Sequence, residues 1–340
     1  MPTNVDNSNT DGNHSLNSFP KIVRRFRHTL TKLLRAGPEK WLVSAGFRII
    51  PGMSRSGVIR LSGALAAVLY PFSRGSRRII NANLDVVYGP ADNPAEREKL
   101  VKSIMANSMR VILDCFWFAK DGSGKLAEYV SYDDGYAAMI NGRDPELAVT
   151  GHFGSWELSA QCVCSKGRTL TSVFAPIGNA ETQERMAMMR RANGQNIVPK
   201  NGAVLAMLRA LHENQLVGLL LDQRTPTTKG GVFVNFLGLK TTISNVAGTL
   251  SVRRKVPVNI VWCKYLGDGY YRCELVARLE AGHGMSDAGV SQWIADRLGE
   301  IIKANPEQWL WMYRRWRHYP PGEDPAKYPY YAMPYNPLVD

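Results

Sequence analysis

Apolar and polar positions fall into two regimes along the chain. From Lys21 to about residue 119 the spacing is helical. In Lys21–Arg35, Ile22, Val23, Phe26, Leu30, Leu33 and Leu34 gather on one side, and Lys21, Arg24, Arg25, Arg27, Lys32 and Arg35 fill much of the rest. Such a basic amphipathic helix suits either an anionic bilayer surface or the flank of a folded domain. Trp41–Tyr70 reads as further helix, broken near Pro51-Gly52. Residues 96–119 read as one or two more, with Val101, Ile104, Met105, Met109, Ile112 and Leu113 at helical spacing. From about residue 146 short apolar runs alternate with helical stretches. Leu147–Thr150, Thr169–Phe174, Leu216–Leu221 and Val256–Trp262 predict buried strands, and Glu181–Arg191 and Ala203–Glu213 predict helices. The pattern predicts an α/β fold: a mixed, largely buried central sheet flanked by helices, with an N-terminal helical membrane-associating region.

The expected organisation is a polar leader over residues 1–20, a helical membrane-surface region over 21–120, an α/β catalytic core over 121–318, and a Pro/Tyr-rich extended tail over 319–340. The first eighteen residues hold no Lys or Arg and predict disorder rather than a signal peptide. The best apolar run, Leu61–Phe72, is too short for the roughly 20 residues a spanning helix needs, so a peripheral association is expected.

Charge narrows the partners without choosing one. Lys and Arg number 42 against 29 Asp and Glu, a formal net charge of +13, which implies an anionic partner: nucleic acid, anionic lipid or an acidic protein. The five cysteines show no C-x-x-C spacing and no second ligand pair, so neither a zinc site nor a disulfide scaffold is expected. Gly122-Ser-Gly-Lys125 has a phosphate-loop look, but Ala119 stands where that motif needs Gly.

The sharpest chemical feature is Thr150-Gly-His-Phe-Gly-Ser-Trp-Glu157. A strand running into Gly151 and a helix starting near Ser155 put His152 in a strand-to-helix turn at the carboxyl edge of the sheet. Glu157, in the first helical turn, is placed to reach back to the imidazole, fix its tautomer and stabilise the imidazolium. No Ser sits in a G-x-S-x-G elbow, so the pair suits activation of a substrate hydroxyl better than an acyl-enzyme. A structural turn whose histidine merely caps a helix has equal standing on spacing alone.

These residues resemble the lysophospholipid acyltransferase superfamily, and in it the bacterial lipid A late acyltransferases, whose signature is a His followed five residues later by an acid. Further blocks resemble the family in order: Phe174-Ala-Pro-Ile with Arg190-Arg191 and Gly194; Val217 to Asp222-Gln223; Gly231 to Gly238; and Pro306-Glu-Gln-Trp to Arg314-Arg315-Trp316. Lys200 stands where relatives often carry Arg, Tyr313 replaces a His, Leu237 replaces a Phe, and the family's N-terminal membrane helix is absent or shortened. The resemblance implies His152 as general base, oriented by Glu157. It implies acyl transfer from an acyl carrier protein thioester to a hydroxyl of an anionic lipid acceptor, a lipid A precursor or related glycolipid. No metal or other cofactor is expected, and no nucleic acid. Gly154 and Ser155 amides are expected to hold the oxyanion, and Arg190, Arg191, Lys200, Asp222, Gln223, Arg314 and Arg315 to bind substrate. The setting would be the cytoplasmic face of the inner membrane. A glycerophospholipid acceptor is the nearer alternative, and a non-catalytic basic protein on membrane or nucleic acid the farther one.

Overall fold

The computed structural model describes residues 42–119, 122–174 and 180–336. The expected polar leader and the basic helix over Lys21–Arg35 lie outside them. The chain divides into two units, Met1–Ala45 and Gly46–Asp340, and the second carries the fold.

Helices come first. An apolar helical stretch over Leu42–Gly52 precedes α1 (Arg55–Leu69), which starts at Ser54, whose side chain accepts from the Gly57 amide. Helix α2 (Arg74–Tyr88) follows a single 3-10 turn over Tyr70–Phe72. The expected helical tract over 96–119 is one helix, α3 (Pro94–Trp117). Asn93 caps it from two amides, and Pro94 at its first position lacks the N–H that would otherwise go unpaired there. No single described helix is long and apolar enough to cross a membrane.

The α/β part runs α4 (Gly122–Tyr129), β1 (Val130–Tyr132), α5 (Asp134–Asn141), β2 (Glu146–Thr150), α6 (Trp156–Ser165), β3 (Leu170–Phe174), α7 (Ala180–Ala192), β4 (Gln195–Pro199), α8 (Ala203–His212) and β5 (Leu216–Leu220). It continues with β6 (Gly231–Phe236), β7 (Leu239–Ser244), α9 (Val246–Arg254), β8 (Val258–Gly267), β9 (Tyr270–Leu279) and α10 (Asp287–Ala304). Gly122-Ser-Gly-Lys125 opens a helix, and Lys125 donates to the Trp117 and Pro51 carbonyls.

The sheet has seven strands in the order β1-β9-β8-β2-β5-β3-β4. The five from β8 to β4 are mutually parallel, while β9 runs antiparallel to β8 with β1 parallel to β9. It is the mixed, helix-flanked sheet the apolar pattern predicts. Strand β2 is buried on both faces, which is why Leu147–Thr150 reads as a continuous apolar run. Leu147 and Val149 pack with Val217, Leu219, Leu211, Leu250 and Leu298 on one face. Ala148 packs with Val261, Leu158, Cys162, Tyr136 and Met139 on the other.

After α10 the chain makes a 3-10 turn over Pro306–Gln308, bridges Phe153 at Trp309, and then forms a short parallel pair, β10 (His318–Tyr319) with β11 (Met333–Pro334). Asn83 in α2 fastens this stretch. Its Nδ2 donates to the Trp311 carbonyl at 2.7 Å and the Tyr313 carbonyl at 2.8 Å, and its Oδ1 accepts from Tyr331 Oη. Asn83 is fully buried, so truncation leaves three polar groups without partners. Asn83→Ala is expected to cost about 2–4 kcal/mol in denaturant unfolding.

Candidate active site

The strand register builds the site. β2 and β5 are parallel neighbours with Thr150 opposite Leu220, and the Leu221 amide extends the pairing to the Thr150 carbonyl at 3.0 Å. Two residues beyond each strand end stand His152 and Asp222, so their side chains meet. His152 Nδ1 lies 2.8 Å from Asp222 Oδ1. The second carboxylate oxygen accepts from Trp309 Nε1, also at 2.8 Å. With Asp222 buried and doubly bonded, Nδ1 carries the proton and Nε2 is left with its lone pair. Gln223 holds its side-chain amide 3.5 Å from Nε2, and Trp156 sets its ring edgewise against the imidazole at 5.0 Å.

Burial works against a charged imidazole, but the Asp222 carboxylate, aided by Glu157, outweighs it and lifts His152 above its ordinary value. Burial alone would raise Asp222; the bonds from His152 and Trp309 hold it below the usual carboxylate range. The pair is therefore poised to store a proton on the imidazole with its counter-charge in place.

The sequence expectation of Glu157 as the orienting acid is corrected by this geometry. Glu157 sits in the first turn of α6, buried, and its two oxygens are taken by Arg190 from the last turn of α7: Nε–Oε2 is 3.1 Å, and Nη2 bonds Oε1. Its charge still reaches His152 through space. Helix geometry explains the exchange. The acid five residues past His152 turns towards α7, whereas the neighbouring strand end delivers an acid directly to Nδ1.

The expected oxyanion donors are corrected as well. The Gly154 amide donates to the Gln308 carbonyl and the Ser155 amide to the Cys263 carbonyl, both at 2.9 Å. These bonds pin the turn between β8 and the C-terminal block, so neither N–H is turned to substrate. Gly154 sits at φ +57, and a Cβ there would lie 2.1 Å from the Cys263 carbonyl oxygen. At Gly151 a Cβ would run into the Phe153 ring and the Asp222 side chain. Both glycines are demanded by close packing rather than by substrate approach.

Of the other expected substrate residues, Gln223 borders the imidazole, and Arg190, held on Glu157, acts on it through space. Arg191 is exposed and pairs with Glu184 at 3.3 Å. Lys200 is exposed just past the edge strand β4, three strands from β2, or about 14 Å at ordinary strand spacing. Arg314 is exposed over the Tyr331 ring. Arg315 is fully enclosed, donating from Nη1 to Thr241 Oγ1 and the Thr242 carbonyl at 3.0 Å, so it offers no surface to a carrier protein or bilayer. The expected Phe174-Ala-Pro-Ile block runs largely outside the described residues. From the sequence, Asp222 stands only among the residues expected to bind substrate and Trp309 only within the C-terminal block, so neither bond that completes the pair is foreseen. The signal for the His152–Asp222 bond is topological, adjacent parallel strands ending in one register, whereas Trp309 reaches the carboxylate from outside the sheet.

The family model for bacterial lipid A biosynthesis acyltransferases matches residues 25–318. The chain belongs to that family. It is thus an acyltransferase, with the catalytic turn and every block quoted from the sequence inside the matched span. Among similar proteins is a phosphatidylinositol mannoside acyltransferase of Mycolicibacterium smegmatis, 24% identical over 282 residues, covering 80% of this chain and 90% of the relative. Another of that name, from Mycobacterium tuberculosis, is 25% identical over 183 residues, covering 53% of this chain and 57% of the relative.

Two outcomes test this acyltransferase site. Asp222→Asn removes the charge that lifts His152, so the acid limb of the pH–rate profile should move to lower pH. The rate on its plateau should fall by about two to four orders of magnitude, because the wrong tautomer is favoured. Gly154→Ala should lower stability by about 2–4 kcal/mol in thermal or urea unfolding, from left-handed backbone strain plus the carbonyl clash.

Proposed function

We propose that this chain transfers a fatty acyl group from an acyl carrier protein thioester to a hydroxyl of a membrane glycolipid, a lipid A precursor or a related anionic glycolipid. The observation that supports it most is the His152–Asp222 pair, with Nε2 free of the carboxylate and directed to the side where Gln223 lies. His152 Nε2 takes the acceptor's hydroxyl proton as that oxygen attacks the thioester carbonyl. The tetrahedral oxyanion collapses, the C–S bond breaks, and the leaving thiolate takes the proton back from the imidazolium. Asp222 steadies the positive charge in between.

With the turn amides already bonded, Gln223 is the candidate donor to the oxyanion from the described residues beside Nε2. Arg314, exposed on the C-terminal block, is available to an acidic carrier. The mannosylated inositol lipids in the names of the relatives favour a sugar hydroxyl on an anionic lipid as acceptor. A glycerophospholipid acceptor uses the same chemistry. The +13 charge supports work at an anionic surface, and a peripheral position at the cytoplasmic face of the inner membrane is part of the same proposal. A purely binding protein has no use for a buried Asp–His pair with a free ring nitrogen.

The test is acyl transfer from a set of acyl carrier protein thioesters into a membrane lipid extract. Wild type should give an acylated lipid whose identity names the acceptor. His152→Ala should lose about two to four orders of magnitude in rate. Equal rates would remove His152 as the base, and no product from either would point to another donor or to a binding role.

A further inference from the structure

Helices α1 and α2 meet at a corner that carries an unusual surface. The helical segment Arg55–Phe72 and α2 turn through 96° at Ser73. At the corner Phe72 is 83% exposed, Val68 64% and Leu69 45%. Exposed Gly63, Ala64, Ala67 and Pro71 extend the same surface without a polar side chain. Large apolar side chains clustered at this exposure are rare on a surface that meets only water.

Along the chain the charge of this segment is one-sided, while in space Lys102 of α3, paired with Glu98 at 2.8 Å, lies 5.2 Å over the Tyr70 ring. From Gly46 to Leu84 the sequence contains six arginines and no Asp, Glu, Lys or His. Arg55 is buried against Asp114. Arg48, Arg60, Arg74 and Arg78 are exposed, and Arg78 stacks on Tyr330 at 3.9 Å. An apolar tip followed directly by exposed Arg74 and Arg78 complements a bilayer containing anionic lipid: the tip enters the acyl boundary while the guanidinium groups stay at the phosphates.

We propose that the α1–α2 corner is the element that docks the enzyme on an anionic bilayer, with Val68, Leu69 and Phe72 immersed and Arg74 and Arg78 on headgroups. The proposal rests on the membrane-lipid acceptor argued above and assigns the contact to a described part of the fold. It also gives the docking a catalytic consequence. The far end of α2 is fastened through Asn83 to Trp311 and Tyr313, in the block whose Trp309 bonds Asp222 and whose Leu310 amide bonds the His152 carbonyl. A corner held in the interface is thus tied through α2 to the wall of the site, about 15 Å further along the helix.

The test is co-flotation of the full chain with vesicles of phosphatidylcholine alone and of phosphatidylcholine mixed with phosphatidylglycerol, at fixed moderate salt. Wild type should float with the mixed vesicles and far less with the neutral ones. Val68→Asp with Phe72→Asp should lower partitioning to mixed vesicles about tenfold or more. Arg74→Glu with Arg78→Glu should do so on mixed vesicles only. These side chains are exposed, so melting temperatures should stay near wild type. As a measurement independent of charge insertion, Phe72→Trp should show extra fluorescence quenching by brominated phosphatidylcholine over the wild-type background. Undiminished flotation of the double aspartate variant, or no added quenching at position 72, overturns the proposal. A dimer abolished by Phe72→Asp without any flotation does so too, by giving the corner to a second copy. Flotation needs no turnover, so a failure of docking and a failure of the acyl-transfer reading are told apart: a docked but inactive protein keeps the first and sinks the second.

Discussion

The hydrogen bond between His152 and Asp222 is the constraint on which the rest of the site depends, and it is set by sheet topology. Two parallel strands in adjacent positions end at the same level, and each sends its next-but-one residue to the same place. A shift of one residue in either strand would turn one of the two side chains to the opposite face. The apolar residues that line both faces of β2 and β5 hold the register, so core packing and the position of a proton are one matter. Trp309 adds a second donor to the carboxylate from outside the sheet, which keeps a fully buried acid ionised beside an imidazole.

Two acids act on one histidine, and the fold keeps them from competing. Asp222 takes the ring nitrogen directly. Glu157, buried nearby, is neutralised where it stands by the two-point contact with Arg190. The two act on His152 in opposite directions: the Glu157 charge favours the imidazolium and the Arg190 charge opposes it.

Much of this architecture is legible in the residues alone. The apolar runs locate β2, β3, β5 and β8 and the helices between them, because strands buried on both faces read as short continuous blocks. β9 does not stand out, because its outer face alternates with polar residues and it follows β8 closely; nor does the β6–β7 hairpin, whose turn puts Leu237 at φ +54 where a glycine would be expected. His152 at a strand-to-helix turn is also legible. Its partner is not, since sequence proximity favours an acid five residues away over one seventy residues away. Only strand order brings the distant one closer. The same limit hides the fate of the Gly154 and Ser155 amides: a helix start reads as a row of open donors until the carbonyls of Gln308 and Cys263 are seen to occupy them.

The C-terminal block explains why a run of residues so far along the chain belongs to the site. Within seven residues, Trp309 bonds Asp222, Leu310 bonds the His152 carbonyl, Trp311 and Tyr313 receive Asn83, and Arg315 grips the Thr241 hydroxyl and the Thr242 carbonyl in β7 of the hairpin. Arg314 and Arg315 look alike in sequence yet do opposite work: the extended chain turns one outward to solvent and the other inward. Burial pushes Arg315 down to about 10, and the face of Phe236 lies 4.5 Å beneath its guanidinium. Arg55 and Arg168 are each buried with a carboxylate and Arg190 is half-buried with one, whereas Arg315 is held by carbonyl, hydroxyl and ring. Both acceptors are bonded from one nitrogen, Nη1, so what a lysine lacks here is the flat face that lies on the ring. Arginine at 315 is thus a demand of the scaffold that holds Asp222, while arginine at 314 is free to answer to whatever docks outside.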